Sequence, residues 1–479
     1  MAQLYKILPA RDSGSTLHGT DFCRESKYGW FCIAICSLWF FLTINPLHLL
    51  ILDLGSGYYN FKRFVQIVLI GVVTLLFFFR EYRVGVTKTL NLRGLVLPWL
   101  ASCFFIFGSA VFSDNKYHSI LEGLHWLMLP SVFFVGIYIA KAGLTQRLLG
   151  IYLLIHGMVV FKGLLDFGFE VFVSESLRAG MIFSSFGNIR FFNQVQVFII
   201  PLLLIFASRT KFYSLAYLFL FANFLLAFAS GARGLLLSII VTGLLSFVFL
   251  KPWRRQILYG LIVCAFAYMA YFLILEWLGS VGHIFRTSTS GRLAIWWELL
   301  SKLSTLNIFF GNGVGAYTFH DFVYFFGHPH NSILQFLYEW GAIATLSAVA
   351  AILWVCWTSY QQLKGDGDST KKDIQAALLY ALCAASFYSL FSGVFVMPAP
   401  QVLFFLFVGL LLGGANLEGH KVLRVNQSVS VALRFLCAIC LIVFVELAGK
   451  YLVQQAGQQE QVRGPRFWGN GAPLILSDY

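Results

Sequence analysis

From about residue 29 to residue 453 the chain is a succession of apolar runs, each near the roughly 20 residues that a helix needs to cross a bilayer's hydrocarbon core. They fall at about 29–46, 64–79, 95–112, 119–140, 148–168, 195–208, 212–230, 234–250, 257–278, 333–359, 374–393, 399–415 and 431–453. Such runs are too long for barrel strands of about 10 residues, and only helices or closed barrels satisfy their backbone in lipid. The fold class expected is therefore all-α, a polytopic integral membrane protein with about 12–13 transmembrane helices. Composition agrees. Only 11% of the 479 residues are charged, against about 25% in a soluble domain, so the chain cannot form a water-facing shell. A soluble enzyme, a disordered protein and a secreted disulfide scaffold are excluded. Cys32, Cys36, Cys103, Cys264, Cys356, Cys383, Cys437 and Cys440 lie inside the runs, where cysteine behaves as a small hydrophobe. Cys437-x-x-Cys440 has redox or zinc spacing but no partner ligands mid-span, and is read as packing.

With the N-terminus inside, the even-numbered connections hold the strong basic sets: Arg80, Arg83, Lys88 and Arg93, then Lys251, Arg254 and Arg255, then Lys364, Lys371 and Lys372. The positive-inside rule then puts the N-terminus in the cytoplasm and, after an odd number of spans, the C-terminus outside, which in a bacterium is the periplasm. The net charge of +13 reads as topological asymmetry and not as a nucleic-acid footprint. The organisation expected is a cytoplasmic tail over 1–28, a first bundle of about nine spans over 29–278, and a large periplasmic loop over 279–332 carrying short amphipathic helices. Further spans over 333–453 and a periplasmic tail over 454–479 complete it. The first run follows a polar stretch without an Ala-x-Ala-like site and reads as a retained span. No internal repeat of transporter type is evident.

Arg178, Arg190, Arg233, Arg286 and Arg292 break the charge rule, falling on the outer side in or beside its largest loops. An anionic ligand at the outer leaflet accounts for them. The plainer alternative is that long loops translocate regardless of charge and that these arginines pair with Glu175 or Glu298. Within the loop, Arg292 opens a segment with Trp296, Trp297, Leu299, Leu300 and Leu303, spaced as an amphipathic helix lying at the interface. Its planar fork of donors suits phosphate oxygens. Gly311-Asn312-Gly313-Val314-Gly315 matches neither a dinucleotide nor a Walker fingerprint and reads as a tight turn beneath a bulky substrate. His328-Pro329-His330-Asn331 follows, just before the 333–359 run, with Asn331 at a helix-capping position. An imidazole there can take a proton from an attacking hydroxyl at neutral pH. A merely capping or interfacial histidine is the alternative. Zinc binding by His320, His328 and His330 is weaker still, for want of an accompanying Cys or Glu cluster.

Four features in order carry a resemblance: Ser230-Gly231-Ala232-Arg233 opening a span, Ser290-Gly291-Arg292 with a following tryptophan, Gly311-x-Gly313-x-Gly315-x-Tyr317, and His328-Pro329-His330-Asn331 followed, after nine intervening residues, by Gly341. The set resembles the O-antigen ligase/polymerase superfamily, which includes lipopolysaccharide O-antigen ligases, O-antigen polymerases and bacterial protein O-oligosaccharyltransferases. It is closest over about 225–345. The chain departs from the pattern at Ala344-Thr345, where a second glycine is common, which bears on helix packing more than on chemistry.

The resemblance implies a membrane glycosyltransferase that moves a glycan from undecaprenyl diphosphate to a hydroxyl acceptor, either a lipid A–core sugar or a protein such as pilin. It implies no nucleotide, metal or other cofactor. It assigns Arg233 and Arg292 to the diphosphate, with Arg190 as a third cation, and His330 to the acceptor hydroxyl as general base. Attack opposite the diphosphate inverts the anomeric carbon. Asn331, Tyr317, Gln335, Glu339, Gln194 and Gln196 are supporting candidates, which packing explains equally well. The Asn193/Gln194/Gln196 cluster leans toward the protein-transferring branch, and the tail Gly464-Pro465-Arg466-Phe467-Trp468 reads as an acceptor contact or an interfacial anchor. A polymerase shares this donor chemistry. A lipid-linked-sugar flippase is the rival class, against which the mid-span ionisable residues noted (Lys162, Asp166, Arg434, Glu446) are few.

Overall fold

A computed structural model describes residues 19–46, 58–76, 78, 93–173, 177, 182–183, 186, 189–207, 213–279, 291–320, 322–323, 327–365, 368–414, 427–456 and 466–467. Arg178, Glu175, Arg286 and Trp468 lie outside these residues. The described residues form α-helices and no strand. The first half contains α1 (Gly19–Ile44), α2 (Tyr58–Leu76), α3 (Arg93–Val111), α4 (Lys116–Met128), α5 (Ser131–Lys141), α6 (Thr145–Phe172), α7 (Ile189–Ala207) and α8 (Tyr213–Ala229). The second contains α9 (Arg233–Phe249), α10 (Arg254–Trp277), α11 (Arg292–Ser301), α12 (Thr305–Phe310), α13 (Ser332–Lys364), α14 (Ser369–Tyr388), α15 (Pro398–Gly413) and α16 (Gln427–Ala456).

Every apolar run lies on a helix. The 119–140 run is two helices, α4 and α5, separated at Leu129-Pro130, with proline in the N-cap position of α5. Seven helical segments are long and apolar enough to cross a membrane, and five more apolar helices of 10–17 residues accompany them. The chain is an all-α, multi-pass membrane protein. Large apolar side chains project outward from α10 (Phe266), from α13 (Leu346) and from α16 (Phe435, Ile442). In water that surface would aggregate; against lipid tails it is solvated. Inside, α5 and α15 touch backbone to backbone, since a Cβ on Gly136 would overlap Leu406 O and one on Gly409 would overlap Phe133 O. Small residues at such crossings maximise the dispersion contacts that hold helices together in lipid. The charged pairs Lys162–Asp166 (2.5 Å) and Lys450–Glu446 (2.8 Å) are each one turn apart on one helix, so each pair is neutralised locally.

The contacts also sort the connections between helices into two ends. At one end Ser119 donates to Val314 O (3.0 Å), Ser230 to Asn193 (3.1 Å), Gln194 to Ser392 (2.9 Å), the Ser332 amide to Ser389 O (2.9 Å) and Arg63 to Phe467 O (2.9 Å). At the other, Trp253 donates to Asp373 (2.7 Å), beside Lys251, Arg254, Lys371 and Lys372. The expected short amphipathic helices are α11 and α12. On α11, Ile295 and Leu299 are buried while Leu293, Trp297 and Leu300 are exposed, so of the apolar residues read from the spacing Leu299 packs inward and Trp297 and Leu300 face outward.

Candidate active site

Each of the three arginines opens a helix. Arg190 is the second residue of α7, Arg233 the first of α9 and Arg292 the first of α11. Gly291, at φ 72°, supplies the left-handed turn from which α11 starts, which is a physical reason for glycine before Arg292. A cation in a first helical turn faces the positive end of the macrodipole, an arrangement unfavourable by about 0.3–1 kcal/mol. The same geometry adds free N–H groups to guanidinium groups, which favours a bound anion.

The arginines also act on one another. Arg292 has its pKa lowered, first by burial, then by Arg190 and Arg233, with Tyr388 opposing, and its Nε is buried without a hydrogen-bond partner. Among the described residues Glu298 is not paired with Arg292: it faces Lys302 (3.7 Å) and accepts from the Val323 amide (2.7 Å). Asn193, held by Ser230, ties the start of α7 to the turn before Arg233, so the positions of Arg190 and Arg233 are linked. Arg190 and Arg233 are exposed, whereas Arg292 is half-buried.

His330 belongs to the same cluster. It is half-buried, and its pKa is lowered to about 3 by burial and by the charges of Arg190 and Arg292. Its backbone is left-handed at φ 57°, a strained state for a residue other than glycine. The strain is held from both sides. Its amide donates to His328 Nδ1 (3.2 Å), the two rings lie edge to face 4.3 Å apart, and Asn331 accepts from the Leu334 amide (3.1 Å) to cap α13. His328 is buried and neutral, its pKa pushed well below the usual histidine range by burial and then by His330, Arg466, Arg190 and Arg292. Any Cβ at position 393 would lie 2.7 Å from its ring. Trp296 donates to Pro329 O (2.9 Å), fixing α11 against the His-Pro-His segment. His320 turns elsewhere, to Asp114 (2.9 Å) and Tyr338 (2.5 Å).

The supporting candidates divide. Gln194 reaches Ser392 next to Gly393 and braces the floor under His328. Gln196 faces the bundle interior instead, donating to Asn223 O (3.0 Å), whose side chain also meets His156 (2.8 Å). Tyr317 is buried in an aromatic layer, stacked on Phe322 at 4.5 Å. The glycine turn 311–315 packs against Ser113, His118, Ser119 and the backbone of α13, so its glycines answer to protein contact and not to a substrate overhead. Gln335 and Glu339 do share one face of α13, but they meet Arg466. That last contact corrects the reading of the tail: Arg466 and Phe467 are buried at 3% and 2% exposure, not laid on the interface or held out toward an acceptor.

Glu122 escaped the sequence reading, while Arg466 and His328 appear in it only in other roles, as part of the tail and of the His-Pro-His motif. Glu122 carried a signal, because it is an ionisable residue inside the 119–140 apolar run, where burial requires a partner.

Residues 216–349 match the O-antigen ligase family model. The matched O-antigen ligase stretch runs from α8 into α13 and contains Arg233, Arg292, the glycine turn, His330 and Gly341. Arg190, Glu122 and Arg466 lie outside it. Comparison with curated proteins returns no match. The coarse class that the O-antigen ligase match supports is a membrane glycosyltransferase of the O-antigen ligase/polymerase type.

Proposed function

We propose that this chain transfers a glycan from undecaprenyl diphosphate to a hydroxyl acceptor, a lipid A–core sugar or a protein Ser/Thr such as pilin, on the periplasmic face of the inner membrane. The observation that carries the reading is the mutual electrostatic influence of Arg190, Arg233, Arg292 and His330 around helix N-termini. Like charges gathered this way repel, and a diphosphate relieves that repulsion. In the transfer step the acceptor oxygen attacks the anomeric carbon from the face opposite the diphosphate. His330 takes the hydroxyl proton, the carbon–oxygen bond to the carrier breaks, and undecaprenyl diphosphate leaves with the electron pair and the added negative charge. Arg190, Arg233 and Arg292 stabilise that charge as it develops, and the anomeric carbon inverts. No metal or nucleotide takes part. Asn331, by capping α13, and Gln194, through Ser392, support His330. The periplasmic face is supported by the sorting of the connections, since Lys251, Arg254, Lys371 and Lys372 lie at the end remote from the arginines.

The test is incubation of the purified protein with labelled undecaprenyl-diphosphate glycan and three acceptors: lipid A–core, pilin and a second carrier-linked glycan. Label is expected on the first or second; label on the third alone makes the chain a polymerase. Arg292→Ala should reduce kcat/KM about 10–100-fold, the cost of one charge-assisted contact of about 1.5–3 kcal/mol. Transport into liposomes without a covalent product with any acceptor would replace the transferase by the flippase.

A further inference from the structure

Glu122, Glu339 and Arg466 come from three remote parts of the chain and meet in the interior, next to the turn that supports the His330 segment. Arg466 Nε lies 3.0 and 3.2 Å from the two oxygens of Glu122, and its Nη2 lies 2.8 Å from Glu122 and 2.6 Å from Glu339. Gln335, with its amide turned, accepts from the same Nη2 at 3.1 Å. The backbone of the segment is pinned as well. Arg63 donates to Arg466 O (3.1 Å) and Phe467 O (2.9 Å), Tyr59 donates to Arg466 O, and Phe467 packs edge-on against His125 at 5.6 Å.

We propose that Arg466 is a positioning residue for the transfer reaction, clamping residues 332–340 onto α4 and so setting where His330 stands. The inference rests on the transferase reading for its functional consequence. The break in α13 at Gly341 (φ 81°, ψ 171°) is what makes a clamp necessary. Residues 332–340 do not inherit their direction from the long helix that follows; contacts on their own face set it. Gln335 and Glu339 are on that face, one turn apart, and Arg466 holds both. At the other end of the segment the Ser332 amide is held by Ser389 O (2.9 Å), and His330 stands two residues before it. Arginine is needed because a bidentate grip on one carboxylate with a further bond to another requires a planar fork of donors, which the point charge of lysine does not reproduce. Without the guanidinium, Glu122, Gln335 and Glu339 lose the donor they share, and the link that holds residues 332–340 to α4 through Arg466 is gone. The electrostatic influence of Arg466 on His328, whose Nδ1 accepts the His330 amide, is consistent with this closeness.

The test uses the full-length protein in detergent, with Arg466→Lys, which keeps the charge, and the pair Arg466→Met with Glu339→Gln, which keeps the net charge of the cluster. Three properties are read: melting temperature, kcat and KM for donor and acceptor, and the rate at which diethyl pyrocarbonate modifies His330, mapped by mass spectrometry with an added histidine-containing peptide as reference. A purely structural ion cluster would move only the first. Expected for both variants is a change of at least threefold in the His330 rate relative to the added peptide, with kcat reduced at least tenfold and donor KM unchanged. Unchanged kcat and His330 labelling in a folded Arg466→Lys or double variant overturns the proposal, and so does a loss of kcat with labelling unaltered. Altered labelling alongside transfer that is equally indifferent to His330→Ala upholds the clamp and removes the transferase role of His330, so the two ideas fail separately.

Discussion

His330→Ala lowers glycan transfer by about 10²–10⁴-fold, the range for loss of a positioned general base, while the protein remains inserted and abundant. The effect should fall on kcat more than on donor KM, because the cations that hold the diphosphate are untouched. A pH dependence follows from the same site. In the free protein the His330 pKa is lowered to about 3 by burial and then by Arg190 and Arg292, so the imidazole is neutral at any physiological pH. A bound diphosphate compensates the arginines, and the pKa rises toward its ordinary value. The acid limb of kcat, which reports the occupied site, should therefore lie at higher pH than any contribution of His330 to kcat/KM, which reports the free one. For stability the sign is the reverse of the usual paired histidine. Below about pH 6.5 the unfolded chain takes up a proton that the folded one refuses until about pH 3, so stability falls as pH drops through that window. Transfer by His330→Ala at the unmodified rate, or coincident acid limbs in the two profiles, would remove the base from the mechanism.

The helices were legible because lipid imposes a length and a polarity that the sequence must meet, and each apolar run but 119–140, which is split at Leu129-Pro130, landed on one. The arginines were legible for a related reason: Arg190, Arg233 and Arg292 stood out only against a topological rule about where basic residues belong. What periodicity could not show was long-range pairing. Nothing near Arg466 says that its partners are Glu122 and Glu339, and next to Phe467 and Trp468 it reads as an interfacial anchor. Gln196 and Gln194 are two residues apart and looked equivalent, yet on a helix that spacing turns them to different neighbours, one toward Ser392 and one toward Asn223. The glycine turn was recognised as a tight turn, but what it turns against was invisible, because its partner is the carbonyl of Tyr338, 26 residues after Asn312 and just before the break at Gly341.

That break makes Gly341→Ala one of the most damaging single methyl groups expected among the described residues. Gly341 adopts φ 81° and ψ 171°, a region essentially reserved for glycine, at a cost of about 1–3 kcal/mol for any other residue. Its missing Cβ leaves room for the glycine turn: an added one would overlap Phe309 O and lie 2.8 Å from Gly311 N, while a Cβ at Gly311 would overlap Glu339 O. These are backbone atoms and cannot swing aside, so overpacking adds about 1–3 kcal/mol to the conformational cost. The contact is not incidental, since the break frees helix carbonyls that the turn then satisfies: the Asn312 amide donates to Tyr338 O (2.9 Å) and the Gly313 amide to Glu339 O (3.1 Å). Pushing the turn away would leave those groups unpaired in the interior and release residues 332–340, which lead to His330. Gly143→Ala is the control. It has a similar φ of +70° but nothing within 4 Å of its added Cβ, so it should cost only the left-handed penalty of about 1–2 kcal/mol. Thermal unfolding in detergent should therefore show a clear fall for Gly341→Ala and a small one for Gly143→Ala, with transfer lost only in the first. Equal melting temperatures for the two variants would mean that the close approach of turn and helix does not exist in the folded protein.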